Sequence, residues 1–97
     1  MKNKQNVINW AKEKGILEKS SPLKQHGKTQ EEVDELKQAL LNKDRAEIID
    51  AIGDITVTLI IQAELNGLDF EDCLESAYNV ISKRTGEMID GVFVKNK

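Results

Sequence analysis

The sequence has one cysteine, one proline, one histidine and no long hydrophobic run, and its charges nearly balance. Each scarcity excludes something. The lone Cys73 cannot close an intramolecular disulfide or supply a Cys-based metal site. A reducing compartment, and so a cytoplasmic location, is the expectation. His26 has no second His or Cys near it, which argues against an imidazole metal site. The most apolar stretch, Ile55 to Ile61, is interrupted by Thr56 and Thr58 and falls far short of the roughly 20 residues a membrane span needs. Residues 1–15 mix Lys, Asn and Glu with Val, Ile and Trp and hold no apolar block, unlike a secretory signal. A formal net charge of −3, with both signs interspersed, argues against a nucleic-acid partner.

What is present is periodic hydrophobicity: 39 % of the 97 residues are hydrophobic and they recur at helical spacing, which argues against disorder. A chain of this length reads as one domain, residues 1–97, with a modest core that assembly would enlarge. Val7, Ile8, Trp10 and Ala11 predict a first helix over 4–14, with Gly15 as its stop and 15–24 as a connection around Pro22. Val33, Leu36, Leu40 and Leu41 predict a second helix over 23–41. Asn42-Lys43-Asp44 reads as a tight turn, with Asp44 capping a third helix over 45–66 and Glu47 as its capping-box partner. Ile48, Ile49, Ile52, Ile55 and Ile61 make that helix apolar nearly all round, so it is expected to be central and buried. After Asn66-Gly67, Asp69 caps a fourth helix with a stripe of Phe70, Cys73, Leu74, Ala77, Tyr78 and Ile81, in which Cys73 and Tyr78 read as core residues. Residues 91–94 alternate poorly and allow a short extended arm, and no strand pattern long enough for a sheet appears. The expectation is an all-α, four-helix bundle-like fold, completed as a homodimer or homotetramer because the third helix is too apolar for a lone bundle.

Acidic residues carry the chemistry. In Glu31-Glu32-Val33-Asp34-Glu35, Glu35 lies about 40° and Glu32 about 100° around the helix from Glu31, beside Leu36 at about 140°. On the third helix Glu47, Asp50 and Asp54 fall within about 60° of one another. Like charges one turn apart destabilise a helix by about 0.2–0.5 kcal/mol per pair, and Asp is a poor helix former. Acidic residues are usually a solvated face, and Glu31, Asp34, Asp44 and Glu47 also fit that reading. Asp50 and Asp54, inside an isoleucine-rich helix, fit it less well. Oxygen donors without His or Cys select Mg²⁺, with Mn²⁺ as an alternative.

Together these segments resemble the MazG-like nucleoside triphosphate pyrophosphohydrolases. Glu31-Glu32-Val33-Asp34-Glu35 is similar to that family's EExxE motif, and Asp50-Ala51-Ile52-Gly53-Asp54-Ile55 to its ExxD motif. Gln25-His26-Gly27-Lys28 resembles the usual lead-in, and Lys83-Arg84 the closing basic pair. The resemblance implies Mg²⁺-dependent hydrolysis of a (deoxy)nucleoside triphosphate to the monophosphate and pyrophosphate. It implies Glu32, Glu35 and Asp54 as metal ligands, with Glu31 as a further ligand or the group that orients the attacking water. The chain departs from the motif at Ala51, where a Glu is usual; Asp50, on the same face, is the substitute, and Glu47 an outer ligand. Lys28, Asn79, Lys83 and Arg84 are candidate phosphate or base contacts. Trp10 is a core or interface residue, with base stacking as the minor reading. The alternatives are dUTP, dCTP or phosphoribosyl-ATP hydrolysis by the same chemistry, or a non-catalytic helical interaction module.

Overall fold

The structure, a computed structural model, describes residues 1–96. Its elements are α1 (Lys2–Glu13), α2 (Ile16–Lys19), α3 (Pro22–Leu41), α4 (Arg45–Leu65), α5 (Phe70–Ile81), β1 (Gly86–Ile89) and β2 (Val92–Lys95). The mostly helical fold agrees with the pattern in the sequence, with two additions. The 15–24 connection contains the turn α2, and α3 starts at Pro22 itself. Ser21 Oγ accepts from the Lys24 amide (3.3 Å) and proline takes the first helical position, where no amide is needed. The second addition is an antiparallel hairpin, β1–β2, where no sheet was expected. Its turn, Asp90-Gly91, has φ of 50° and 82°, the two left-handed residues of a type I′ turn.

Caps set the helix boundaries. Asp44 Oδ1 accepts from the Glu47 amide (3.2 Å) and Asp69 Oδ2 from the Asp72 amide (3.3 Å), opening α4 and α5. At the end of α4, Gly67 adopts φ 69°, its amide bonding Glu64 and the Leu68 amide bonding Ala63, a Schellman closure. The α3–α4 turn closes in the same way around Lys43, a lysine held at φ 53°. Asp44 is at once the last residue of that closure and the first cap of α4, so the two helices are forced antiparallel over a three-residue link.

α4 is the central helix, in contact with α1, α2, α3 and α5. It is less buried than its composition implies: Ala51, Thr58, Ile60, Ile61 and Ala63 are covered, while Ile49, Ile52 and Leu59 face solvent. The α3 face also differs from expectation. Val33, Leu40 and Leu41 are exposed, and the seam toward α4 is Gln25, Thr29, Glu32, Leu36 and Ala39, spaced four, three, four, three. That spacing is the regular heptad of a helix pair, filled by polar and small residues. On α5 the apolar stripe is present but lies in the open: Cys73 and Tyr78 are exposed, correcting their assignment to the core. The reason is that α5 packs on α4 while the rest of its surface is left exposed among the described residues.

Candidate active site

The α3–α4 seam brings together a buried polar chain and, one turn further along, the acidic residues. Gln25 is 5 % exposed and donates from Nε2 to the Thr58 carbonyl (3.1 Å). Thr29 Oγ1 lies 3.0 Å from Thr58 Oγ1, and Thr58 donates back to the Ile55 carbonyl (2.7 Å), the local bond its position favours. Thr56 does the same toward Ile52 (2.9 Å). Gln62 Nε2 completes the register by donating to the Pro22 carbonyl (3.0 Å). Gln25 and Thr29 thus lock the height at which α3 meets α4, and so the height at which the carboxylates meet. Sequence reasoning used Gln25 only as a lead-in and passed over Thr29. The signal available was the four–three spacing from Gln25 through Thr29 to Glu32.

Glu32 is the buried acid. It is 7 % exposed, and its Oε2 is fully enclosed with no hydrogen-bond partner. Oε1 has one partner, Lys28 Nζ at 3.3 Å, and the same ammonium lies 3.4 Å from Glu31 Oε2. Hydrogen bonds to Glu32 and then Glu31 hold Lys28 above its ordinary value, so it remains a cation. Glu35 is exposed at the mouth of the seam. Its carboxyl is pushed above the usual carboxylate range, first by the side-chain hydrogen bond it shares with Glu32. The Glu32 charge and partial loss of water add to this, and Asp54 adds less, while Lys28 pulls the other way. Glu31, Glu32, Glu35 and Asp54 are four carboxyl groups, and among the described residues Lys28 is the cation that pairs with any of them.

Asp50 and Asp54 are both exposed, Asp54 at the edge of the seam one turn from Ala51 and Thr58; burial is the property of Glu32 instead. Ala51, where the motif usually has Glu, is 4 % exposed inside the seam. Glu47 lies toward the turn and lines an open groove with Asp34, Glu35, Gln38, Asn42 and Asp44. Asn79 is on the last turn of α5, and Lys83 and Arg84 follow that helix rather than ending it. All three are exposed, and the structure gives Lys83 and Arg84 no ion pair with the acids among the described residues. Trp10 is half-exposed and forms an apolar groove with Asn3, Asn6, Val7 and Val57.

The sequence model for phosphoribosyl-ATP pyrophosphohydrolase matches residues 8–79, from α1 through most of α5 and across every acid described above. The chain belongs to that family. It is a family of nucleotide pyrophosphohydrolases within the MazG-like superfamily, the relationship that the EExxE and ExxD segments pointed to. A protein of Haemophilus phage HP1 (strain HP1c1), described as an uncharacterized 18.2 kDa protein in the rep-hol intergenic region, is 36 % identical over 64 residues, or 66 % of this chain. The chain spans 39 % of that relative's length. No solved structure matches it. No helix among the described residues is long and apolar enough to cross a membrane.

A divalent cation suits the donor set of this site. As the side chains stand, no three acidic, His or Cys groups among the described residues enclose a point in space. The chemistry nonetheless favours a hard ion: a buried carboxylate oxygen lacks any donor, and the carboxyl of its neighbour Glu35 is pushed above the usual range by the Glu32 carboxylate beside it. Glu32 and Glu35 are the acids that the structure sets side by side, with Asp54 near enough for its charge to act on Glu35 and Glu31 sharing the Lys28 ammonium.

Proposed function

We propose that the chain hydrolyses the α–β phosphoanhydride of a nucleoside triphosphate, or of a nucleotide built on one, releasing the monophosphate and pyrophosphate. The observation that carries this reading is the unpartnered Oε2 of Glu32, enclosed beside Glu35 in the portion of the chain that the family model matches. Glu32, Glu35 and Asp54 would hold Mg²⁺, or Mn²⁺ in its place. The ion, when bound, neutralises phosphate charge and lowers the pKa of a coordinated water. Glu31, exposed at the mouth, orients the attacking water and takes its proton. The water oxygen bonds to the α-phosphorus, and the bond from that phosphorus to the bridging oxygen breaks. The electron pair leaves on pyrophosphate.

Lys28 has a second role in this reading. With positive charge held among the acids, Lys28 would be free to leave Glu31 and Glu32 and turn to a phosphate oxygen as a point charge. Asn79, Lys83 and Arg84 are secondary candidates for substrate contact, and the Trp10 groove offers an aromatic wall and two amides to a base. Phosphoribosyl-ATP deserves equal standing with the plain triphosphates as substrate, because the matching family is described by it. Both carry the same scissile bond.

The test incubates the purified chain with each NTP and dNTP and with phosphoribosyl-ATP, plus Mg²⁺ or Mn²⁺. Products are resolved as monophosphate-type product plus pyrophosphate, or as diphosphate plus phosphate. Pyrophosphate release that Glu35→Gln and Asp54→Asn each reduce at least a thousandfold supports the reading. No turnover on any substrate would leave the chain a helical interaction module and overturn it.

A further inference from the structure

Residues 12–28 hold five lysines and two acids, in a chain whose formal net charge is −3. The fold gathers most of these lysines around one groove. Lys14 just after α1, Lys19 at the end of α2, and Lys24 and Lys28 on α3 line a cleft of about 430 Å³. That is within the range of about 300–1,000 Å³ usual for small-ligand sites. Glu13 and Glu18, the two acids of the stretch, are not among its walls. Gly15, at φ 76°, turns the chain between α1 and α2 beneath the Lys19 side chain; a Cβ there would sit 3.9 Å from the Lys19 ammonium.

Three of the four ammoniums have no counter-charge. Lys28 pairs with Glu31 and Glu32, which joins this groove to the acidic site. Lys14, Lys19 and Lys24 form no ion pair among the described residues. Lys24 is also placed at a local cost. It lies in the first turn of a 20-residue helix that has no acid in that turn, where the dipole disfavours a cation. One turn further on stands Lys28, a like charge that repels it. An anion in the groove reverses both penalties. A phosphate monoester carries about −1.5 to −2 charge at pH 7 and three strong acceptor oxygens, which suits three unpaired ammoniums.

We propose that the groove is a second phosphate site. It takes a phosphate monoester that the substrate carries outside the anhydride being cut, so that Lys14, Lys19 and Lys24 favour such nucleotides over a plain triphosphate. The inference rests on the reaction proposed above, in which the triphosphate itself lies with Glu32, Glu35 and Lys28. Two sources carry this chemistry: the phosphoribosyl unit of phosphoribosyl-ATP, and a phosphate on the 3′-oxygen of the nucleotide's own ribose.

Two measurements compare the full chain with the double variant Lys19→Gln, Lys24→Gln, whose altered side chains are exposed and should leave the helical circular dichroism signal intact. Amide NMR shifts in chelator, at fixed ionic strength, read binding without any reaction. Millimolar ribose 5-phosphate should shift the amides of Lys19, Ser20 and Lys24, and ribose should not. The variant should bind the sugar phosphate about tenfold more weakly. No shift at these amides, or equal affinity in the variant, overturns the proposal. Turnover then compares ATP, phosphoribosyl-ATP and adenosine 3′-phosphate 5′-triphosphate. At least one of the two nucleotides with an extra phosphate should exceed ATP in kcat/KM, and the one that does names the source. In the variant that ratio should fall about tenfold. If neither exceeds ATP, or if the variant leaves the ratio unchanged, the lysines do not read a second phosphate and the proposal is overturned. A chain that binds ribose 5-phosphate at these amides yet turns over no nucleotide overturns the reaction proposed above and retains the groove as a sugar-phosphate site.

Discussion

Replacing Glu32 by Gln tests the reasoning at its centre, because in the metal-free chain this catalytic candidate is a structural liability. Glu32 is 7 % exposed and one of its oxygens is enclosed without a donor. An unsatisfied buried polar group costs about 1–3 kcal/mol, more when charged. Gln has the same shape, so no cavity forms, and its amide can donate toward Glu35. What is lost is the pairing to Lys28, a half-exposed lysine, worth about 0–1 kcal/mol. The balance is a gain of about 1 kcal/mol in chelator, or roughly 4–8 °C in Tm for a domain of this size. Mg²⁺ at a hundred times its Kd should raise the wild type by about 2.7 kcal/mol and the variant hardly at all. The order of stabilities therefore reverses between chelator and Mg²⁺. Thermal melts followed by circular dichroism, at one protein concentration, read both effects. A variant that melts below the wild type in chelator, or one that keeps the full Mg²⁺ shift, would refute the argument.

Three other outcomes follow from the same geometry. Gln25→Leu removes the donor to the buried Thr58 carbonyl, and should lower stability by about 1–3 kcal/mol in a denaturant titration; an unchanged midpoint would show that this bond does not set the α3–α4 register. Lys43→Gly relieves a side chain held at φ 53°, and should raise Tm by a few degrees, from about 0.5–1 kcal/mol, with turnover unaffected. Glu35 sits above its ordinary value of 4.5 in the metal-free chain. The folded chain therefore holds this proton to higher pH than the unfolded chain does, and that contribution favours folding at low pH and is lost as pH rises through the folded value. A metal ion competes with the same proton. Calorimetry should find Mg²⁺ binding that strengthens as pH rises above 4.5 and releases a proton, a release absent in Glu35→Gln; pH-independent affinity would contradict the assignment.

The helices were legible because their signals are local. Ser21-Pro22, Asp44 and Asp69 open helices by satisfying amides within three residues, and Asn66-Gly67 closes one by adopting a left-handed turn. The acids were legible too, by motif and by spacing around a helix. Which of them is buried was not. Apolar periodicity chose Val33, Leu36, Leu40 and Leu41 as the inner face of α3, yet only Leu36 of these lies in the seam, beside Gln25, Thr29, Glu32 and Ala39. A polar stripe at four–three spacing carries no hydrophobic signal, so its burial becomes visible only when α4 is laid against it. The hairpin escaped for a related reason. Both of its faces hold apolar residues, so the alternation that marks a half-buried strand is missing, although Asp90-Gly91 is a strong turn signal.

By itself, then, the sequence determined a mostly helical chain with acidic residues at motif spacing on neighbouring helices, and the MazG-like superfamily to which it belongs. Local caps and short-range motifs are sufficient for that. Tertiary structure decided that Glu32 rather than Asp50 or Asp54 is withdrawn from water, that Lys28 stands in for positive charge beside it, and that the α5 stripe and the hairpin lie exposed among the described residues. Those are properties of where surfaces meet, and burial belongs to a pair of surfaces rather than to either one.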